Sequence, residues 1–465
     1  MKISDVLKKK INSCVVRIIA EDININWNIP YLLDEPSKGQ GTGFFINKKG
    51  YILTCAHVVN GAKNLYIEIP FLGSDKYQCE VLSIVPHFDI ALIRTIDYKP
   101  SCFVELGNSD KLVVGTEVQV VGYPVSFSSS SNNSNNLKFT TGIISGQQKG
   151  LIQTDSAINP GNSGGPLFCN NKVIGINNMK LVGESLENIG YSIPINYYKI
   201  IEKNINQKII YRPNLLFEYN NTNKHILKDL TNGKVEKGII VSKILKGSPL
   251  ENTNIKKDTI ITGINDYSLD NYGLTDNYKW FGANINIDIL LNKFKNDEVI
   301  TIKYFQDGKI ATTKVQLFEF VSPIRIMYPV FEEISYFIIG GMIFMNFCGN
   351  HILNINNSNL NLLCSVMNSE ESLKEKLYLS FVFPNSSTNI LNNLHTHDFI
   401  SKVNNINVCN IDSLKKALKK PLIINNKKIM KFEEENGKSI LLEVDEIIKQ
   451  DKLFSNIYKY PIFDF

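Results

Sequence analysis

The sequence has little charge imbalance, no paired cysteine motif and, with one exception, no long uncharged apolar run. The net charge is only +5 over 465 residues, and no Lys/Arg tract resembles a nucleic-acid-binding arm, so we predict no nucleic-acid partner. The eight cysteines are scattered without a C-x-x-C pair. This pattern favours free thiols in a reducing compartment over disulfides, a zinc site or a redox motif.

The N-terminus lacks the apolar core of a secretory signal. We therefore expect an intracellular location, cytoplasmic or nuclear. The one long apolar stretch covers residues 334–352, and a glycine pair, a further glycine and two asparagines interrupt it. Because it is rich in aromatic and β-branched residues, it predicts buried strands and no membrane span.

Residues 159–167 hold a serine in a turn framed by glycines. They read Asn-Pro-Gly-Asn-Ser-Gly-Gly-Pro-Leu, which surrounds Ser163 with backbone N–H groups. A serine oxygen is a weak nucleophile unless a base removes its proton and donors receive the developing oxyanion. Taken alone the stretch could be an ordinary loop, so the serine needs partners elsewhere in the chain.

A histidine and an aspartate stand upstream, each beside an apolar strand-like run. His57 follows the run 51–53, and Asp89 precedes the run 90–93. Separately, the histidine could be structural and the aspartate a turn residue. Together with Ser163 they follow the order His, Asp, Ser, which chymotrypsin has and which subtilisin and the α/β-hydrolases do not. We therefore predict a triad of His57, Asp89 and Ser163.

The region up to about residue 200 resembles the HtrA/Deg family of serine proteases. The matching stretches are 41–44, 53–59, 88–92, 121–124, 141–145, 153–167 and 173–177. The resemblance implies that His57 is the general base, that Asp89 orients it and that Ser163 forms the acyl-enzyme. It also implies an oxyanion hole at Gly161, Asn162 and Ser163. Cys55 departs from the family, whose members often carry Asn or Ala there.

The resemblance also implies where the primary specificity pocket lies. It places Ala157 at the base and Ile176, Asn177 and Asn178 on a wall. A Lys or Arg side chain of a substrate would find no carboxylate there and would be buried unpaired, which is costly. We expect cleavage after small or medium aliphatic residues.

Two pairs of titratable residues need a separate interpretation. His87 stands two residues before Asp89 and could tune it, but a surface turn residue explains it as well. His395 and His397 have the same spacing, which can suit a metal. Because no Cys or Asp/Glu cluster completes a site, we predict no metal and no cofactor.

The chain is long enough for about three domains. The fold class is predicted as mainly β: a chymotrypsin-like double antiparallel β-barrel followed by two PDZ-like α+β modules. The predicted domains are residues 1–210, 213–321 and 322–465. A polar tract at 126–136 predicts a surface loop within the protease region, since it cannot bury apolar area.

The two later regions resemble PDZ domains of the Deg type. Stretches 238–241, 247–250 and 255–265 carry the first likeness, and 398–408 with the helix-like 411–418 repeat the pattern. PDZ domains bind a peptide by adding it as a strand. Leu215, Leu216 and Phe217 would supply the binding loop and edge strand, although the small glycine-containing turn that usually holds a carboxylate is missing. The second module could equally be a structural cap.

Two functions follow from these patterns. The first is an ATP-independent endopeptidase of protein quality control that acts on unfolded or misfolded proteins, with peptide ligands at the PDZ domain. The second is a chaperone or peptide-binding scaffold whose protease fold is inactive. The resemblance also implies a homo-oligomer, a trimer or a multiple of trimers, in which Trp27 and Tyr31 could pack between protomers. Trp27 could equally cover its own barrel.

Overall fold

The computed structural model describes residues 5–33, 35–124, 136–180, 189–353 and 370–463. The chain divides into two compact units. The first comprises Met1–Asp22 and Ser37–Phe320, and the second comprises Ile23–Pro36 and Val321–Phe465. The second unit is therefore discontinuous in sequence, because it includes a short segment from near the N-terminus.

The first unit begins with helix α1 (Asp5–Cys14) and a closed antiparallel barrel in the order β1-β2-β3-β6-β5-β4. Side chains alternate between the barrel interior and solvent, as in β4, where Leu65 and Ile67 are buried and Tyr66 between them is half-buried. The strands are β1 (Val15–Asp22), β2 (Ser37–Phe45), β3 (Tyr51–Cys55), β4 (Ala62–Glu68), β5 (Lys76–Val85) and β6 (Ile90–Thr95).

A second closed antiparallel barrel follows in the order β10-β11-β12-β9-β8-β7, and helix α2 (Ile195–Ile201) ends it. Its strands are β7 (Glu117–Gly122), β8 (Lys138–Gln148), β9 (Leu151–Thr154), β10 (Pro166–Cys169), β11 (Lys172–Lys180) and β12 (Gly190–Pro194). The mainly β fold with two antiparallel barrels is therefore confirmed. Residues 126–135 of the predicted polar loop lie outside the described residues.

The rest of the first unit is an α+β module packed on the second barrel. A single hydrophobic cluster contains Val120 and Ile152 of the barrel with Ile261 and Ile302 of the module. The module's main sheet has the order β13-β14-β15-β19-β20. Its elements are β13 (Phe217–Asn220), α3 (Lys224–Thr231), β14 (Ile239–Ile244), β15 (Ile260–Ile264), β16 (Tyr267–Ser268), β17 (Leu274–Trp280), β18 (Ala283–Asn286), α4 (Ile287–Leu291), β19 (Val299–Gln306) and β20 (Lys309–Gln316).

The second unit is built on an eight-stranded sheet with the main order β21-β22-β23-β24-β27-β26. Its elements are β21 (Tyr336–Ile339), β22 (Met342–Asn346), α5 (Gly349–Leu353), β23 (Leu377–Val382), α6 (Ser387–Leu391), β24 (Phe399–Val403), β25 (Ile406–Asn407), α7 (Ile411–Leu418), β26 (Leu422–Ile424), β27 (Lys427–Glu434), β28 (Ser439–Glu443) and α8 (Val444–Tyr458). Strands β21 and β22 confirm the prediction of buried strands in the apolar stretch. Within the described part of the chain, no helix is long and apolar enough to cross a membrane.

The segment between β1 and β2 belongs to this second unit. Trp27 is 9% exposed and packs in one cluster with Met345 and Cys348. The Oγ of Ser380 donates to the carbonyl of Asn28 at 3.0 Å. Trp27 therefore covers a surface of the second unit and not its own barrel, so that suggestion from the sequence is wrong, and a role between protomers stays a prediction. Trp27 packs there because Met345 of β22 and Cys348, which follows that strand, form an apolar surface whose sulfur atoms make favourable contacts with an aromatic ring.

Candidate active site

His57 and Asp89 are brought together by neighbouring strands of the first barrel. His57 lies in the 3-10 turn Ala56–Val58 at the end of β3, and Asp89 immediately precedes β6, the strand that pairs with β3. The His57 Nδ1 lies 2.6 Å from Asp89 Oδ2, and the His57 backbone N–H donates to Asp89 Oδ1 at 2.8 Å. Since the carboxylate binds both the ring and the backbone, it fixes the orientation of the imidazole and directs Nε2 away from itself.

The turn before β6 holds Asp89 in an unusual backbone conformation. Its φ is 55°, in the left-handed region that Asp tolerates better than most residues. The Asp89 N–H donates to the Pro86 carbonyl at 3.1 Å, and the Asp89 carbonyl accepts from Ala56 at 3.0 Å. These two bonds join the turn of the aspartate to the turn of the histidine.

Ser163 lies in the second barrel's loop between β9 and β10, and Thr42 of β2 anchors it. The Thr42 hydroxyl donates to the Gly161 carbonyl at 2.7 Å, and the Thr42 N–H donates to the Ser163 carbonyl at 2.9 Å. The Asn162 N–H donates to the Asn159 carbonyl at 2.9 Å. With Gly161 at φ 94°, this is a type II turn, which requires glycine at that position. Thr42, fully buried, was missed as a functional residue by the sequence reasoning.

The Ser163 hydroxyl rests on a carbonyl of the neighbouring strand. Its Oγ donates to the Asn178 carbonyl at 2.7 Å. A hydroxyl has one proton to donate, so this rotamer does not donate to His57 Nε2. The serine therefore needs a side-chain rotation before His57 can take its proton.

The predicted pocket residues differ in their access to solvent. Ala157 is half-buried, and its carbonyl accepts from the Thr140 hydroxyl at 3.0 Å. Ile176 and Asn177 are fully buried, and Asn178 is buried too. The Asn177 side chain donates to carbonyls of Val121 and Pro166. The asparagine thus holds strands of the second barrel together beside the serine loop.

Cys55 lies next to the His57–Asp89 pair, although the sequence assigned it no chemical role. Its Sγ donates to the Asn177 carbonyl at 3.2 Å. Among the described residues, Cys55, His57 and Asp89 form the one three-residue group of potential metal ligands, within 4.8 Å of one another. Burial raises the pKa of the Cys55 thiol well above its usual value, and the Asp89 charge raises it further. The Cys55 thiol is therefore a hydrogen-bond donor beside the His57–Asp89 pair.

The module at 213–321 contacts the turn that carries Asp89. The His87 Nε2 lies 2.9 Å from Asn292 Oδ1, just after α4. The Arg212 guanidinium lies over the Phe88 ring, 5.1 Å from its centroid, and Arg212 also bonds Asn296 at 2.9 Å. These contacts tie the residues flanking the aspartate to the α+β module that follows the second barrel.

The predicted peptide-binding residues stand at the start of β13. Leu215 and Leu216 are buried, and Phe217 is half-buried. The Leu216 N–H donates to Asn214 Oδ1 at 2.7 Å, and the Leu216 carbonyl accepts from Leu245 at 2.9 Å. One N–H that could have held a peptide carboxylate is therefore used within the loop itself.

His395 and His397 do not converge on one point. His397 Nδ1 bonds the Tyr378 hydroxyl, whereas His395 Nδ1 lies 3.9 Å from Asp398 Oδ2. Each histidine thus has its own partner.

Comparisons with known proteins match both halves of the chain. Residues 41–176 match the trypsin-like peptidase domain, and residues 329–459 match the PDZ domain. Serine protease Do-like HtrA of Bacillus subtilis is 28% identical over 61% of the chain and 64% of its own length. Putative protease Do-like 14 of Arabidopsis thaliana is 31% identical over 51% of the chain and 59% of its own length. The chain thus spans less than two thirds of these relatives.

A solved structure described as HtrA-type protease AlgW with decapeptide has a similar fold. It aligns with 69% of the chain and 100% of its own length, at a TM-score of 0.51 and 20% identity. At this identity the likeness concerns the fold alone. The chain thus has a region that matches a trypsin-like peptidase and a region that matches a PDZ domain, and it is similar to proteins named as HtrA and Do-like proteases.

Proposed function

We propose that this chain is a serine endopeptidase that acts through an acyl-enzyme on Ser163. The observation that carries the proposal is the double contact of Asp89 with His57, at 2.6 Å to the ring and 2.8 Å to the backbone. An aspartate in this position selects the tautomer that leaves Nε2 free to accept a proton, and it stabilises the imidazolium that forms.

The first step of the proposed mechanism is a rotation of the Ser163 side chain. The Oγ leaves the Asn178 carbonyl and donates to His57 Nε2 instead. One hydrogen bond replaces another, so the net cost is on the order of 1 kcal/mol.

The second step needs donors for the oxyanion. The N–H groups of Gly161 and Ser163 would receive it, with Asn162 between them in the type II turn. One such donor is worth about 10²–10³ in turnover. Thr42 supports this step. Its hydroxyl and its N–H bind the carbonyls of Gly161 and Ser163, and this fixes the backbone of the loop that carries the two N–H groups.

The proposed specificity is for small or medium aliphatic residues before the cleaved bond. Ala157 at the base and Ile176 on the wall, with Asn177 and Asn178, offer no carboxylate to a cationic side chain. A digest of a peptide library with product sequencing measures this. A dominant Lys or Arg preference would contradict it.

The proposed substrates are unfolded or misfolded proteins, cleaved without ATP in protein quality control. Extended chains can add to the outer strand β13, which in the described sheet pairs with β14 alone. Because Asn214 already takes the Leu216 N–H, we expect strand addition to contribute more than carboxylate capture. Peptides with a free and an amidated C-terminus should then bind with similar affinity.

Cleavage of casein tests the activity. Wild type should degrade casein, and Ser163→Ala should lose about 10⁴-fold or more in rate. The inactive scaffold is the alternative, and the Ser163 rotamer on Asn178 favours it. If wild type and Ser163→Ala are equally inert but both suppress aggregation of an unfolded protein, the scaffold is correct.

The assembly and the location remain predictions as well. We propose a homo-oligomer, a trimer or a multiple of trimers, inside the cell in the cytoplasm or nucleus. Light scattering that gives a stable monomer would reject the assembly, and imaging of a tagged chain tests the location.

A further inference from the structure

Two cysteines that are distant in the sequence meet in the first unit. The Sγ atoms of Cys14 and Cys102 lie 2.7 Å apart, across a separation of 88 residues. This distance is only about 0.7 Å longer than a disulfide bond. Both residues are free thiols in the structure.

The other described cysteines have different neighbours. The thiol of Cys79 lies 3.8 Å from the Tyr77 carbonyl, and that of Cys55 donates to a carbonyl. Cys348 lies 3.3 Å from a histidine nitrogen, and Cys409 is exposed beside a glutamate. Among the cysteines that the structure describes, Cys14 and Cys102 are the one pair recorded in sulfur–sulfur contact.

The two segments that carry these cysteines already pack together. Cys14 is the last residue of α1, directly before β1, and Cys102 lies in the connection between the two barrels. The Lys10 ammonium lies 5.7 Å from the centroid of the Phe103 ring, and Cys102 Sγ lies 3.6 Å from the Lys10 carbonyl. A bond between the sulfurs therefore requires little movement of the backbone.

The two thiols differ in their access to solvent. Cys14 is fully buried, whereas Cys102 is half-buried. Burial raises the pKa of the Cys14 thiol, and the neighbouring Cys102 raises it further. Since the thiolate is the reactive form, Cys102 is the thiol that a dissolved oxidant meets first.

We propose that Cys14 and Cys102 are a reversible disulfide site, oxidised by a small-molecule disulfide such as oxidised glutathione. The Cys102 thiolate attacks one sulfur of the oxidant, forms a mixed disulfide and releases one reduced thiol. The Cys14 thiol then loses its proton to solvent and attacks Cys102 Sγ, which releases the second reduced thiol. Two protein thiols are oxidised, one small disulfide is reduced to two thiols, and no other electron acceptor is needed.

The bond fastens α1 to the connection between the barrels. A cross-link over a loop of this length removes chain entropy from the unfolded state. We expect the oxidised first unit to melt about 5–10 °C above the reduced one. In a reducing compartment the pair stays as thiols, so the site responds only when the surroundings become oxidising.

The test uses the full chain in buffers with graded ratios of reduced to oxidised glutathione. After free thiols are alkylated, mass spectrometry should show the loss of two hydrogens and a cross-linked peptide containing Cys14 and Cys102. A reductant should release it. Melting curves of the same samples should show the rise in Tm.

Variants separate this site from other oxidation. In Cys14→Ala, oxidation should end with one glutathione bound to Cys102 as a mixed disulfide. In Cys102→Ala, no glutathione should bind at this site, and oxidation should not shift the Tm. If the Cys14→Ala chain does not fold, the comparison is made with Cys102→Ala alone. This variant is less disruptive because the Cys102 side chain is more exposed than that of Cys14. Cys409→Ser is the matched control and should keep the cross-link. The proposal is overturned if both thiols stay alkylatable in oxidised glutathione, or if the cross-link forms without raising Tm.

Discussion

At the scale of single side chains, Thr42 links the two barrels at the serine loop. Its hydroxyl donates to the Gly161 carbonyl and accepts from the Tyr123 N–H at 2.9 Å, while its own carbonyl accepts from the Thr54 hydroxyl at 2.8 Å. Thr42 is fully buried. It is a positioning residue, since it is fully buried and holds the turn of Gly161.

Thr42→Val should therefore impair turnover more than binding. The substitution keeps the shape and removes the bond to Gly161, so we expect kcat to fall by about 10²-fold, as for the loss of one oxyanion donor, with little change in KM. Unfolding should cost about 1–3 kcal/mol less. Steady-state kinetics and urea titration measure both. Thr116→Val is the control, because its hydroxyl bonds the Val113 carbonyl in a remote turn, and it should leave kcat unchanged.

The residues that could be predicted are those with a local signal. His57 and Asp89 each adjoin a strand-like run, and pairing of β3 with β6 brings them together. The Ser163 rotamer could not be predicted, because the Asn178 carbonyl and His57 Nε2 are acceptors of similar strength. Cys14 and Cys102 gave no signal either, since only tertiary packing places residues 88 apart in contact.

At the scale of secondary structure, two buried titratable groups of the second unit act in opposite directions. Burial lowers the pKa of His351 on α5 from 6.5 to about 4. Burial raises the pKa of Asp451 on α8 from 3.8 to about 6, although Gly340 donates to it. Between these limits the unfolded chain binds a proton at His351 that the folded chain lacks, and the folded chain keeps a proton at Asp451 that the unfolded chain releases.

Acidification should therefore change the stability of variants more than that of the wild type. Lowering the pH from 6.5 to 4 costs about 2–3 kcal/mol of the free energy of unfolding through His351 and returns about 2 kcal/mol through Asp451. Over this window we expect Asp451→Asn to lose about 2 kcal/mol more of its free energy of unfolding than the wild type loses, and His351→Gln to lose about 2–3 kcal/mol less. Urea titrations followed by Trp27 fluorescence in a Trp280→Phe background measure the slopes. Three parallel slopes would contradict this explanation.

At the scale of the whole molecule, each of the two compact units is made of segments that are separated in the sequence. The sequence correctly indicated a mainly β fold, because strand alternation is local. It gave no sign that Ile23–Pro36 packs with Val321–Phe465. The apolar residues of this connection could cover any part of the chain, and only the partners of Trp27, such as Met345 and Cys348, reveal its place.

Trp27→Ala should consequently weaken the C-terminal PDZ unit, although the residue lies between two barrel strands in sequence. Removing a buried tryptophan leaves a cavity beside Met345, so we expect a loss of about 3–5 kcal/mol. Hydrogen exchange of β21 and β22 should accelerate. Exchange in the barrel strand β6 should stay unchanged, and the reverse pattern would show that Trp27 serves the protease region instead.

The central claim is that Ser163 is a nucleophile activated by His57 and Asp89. Labelling of the full chain with a fluorophosphonate tests it most directly, because the reagent reports an activated serine whatever the natural substrate. We predict one label per chain, located on Ser163 by mass spectrometry and lost in His57→Ala. A folded wild-type chain that stays unlabelled, or that is labelled equally in His57→Ala, would contradict the claim.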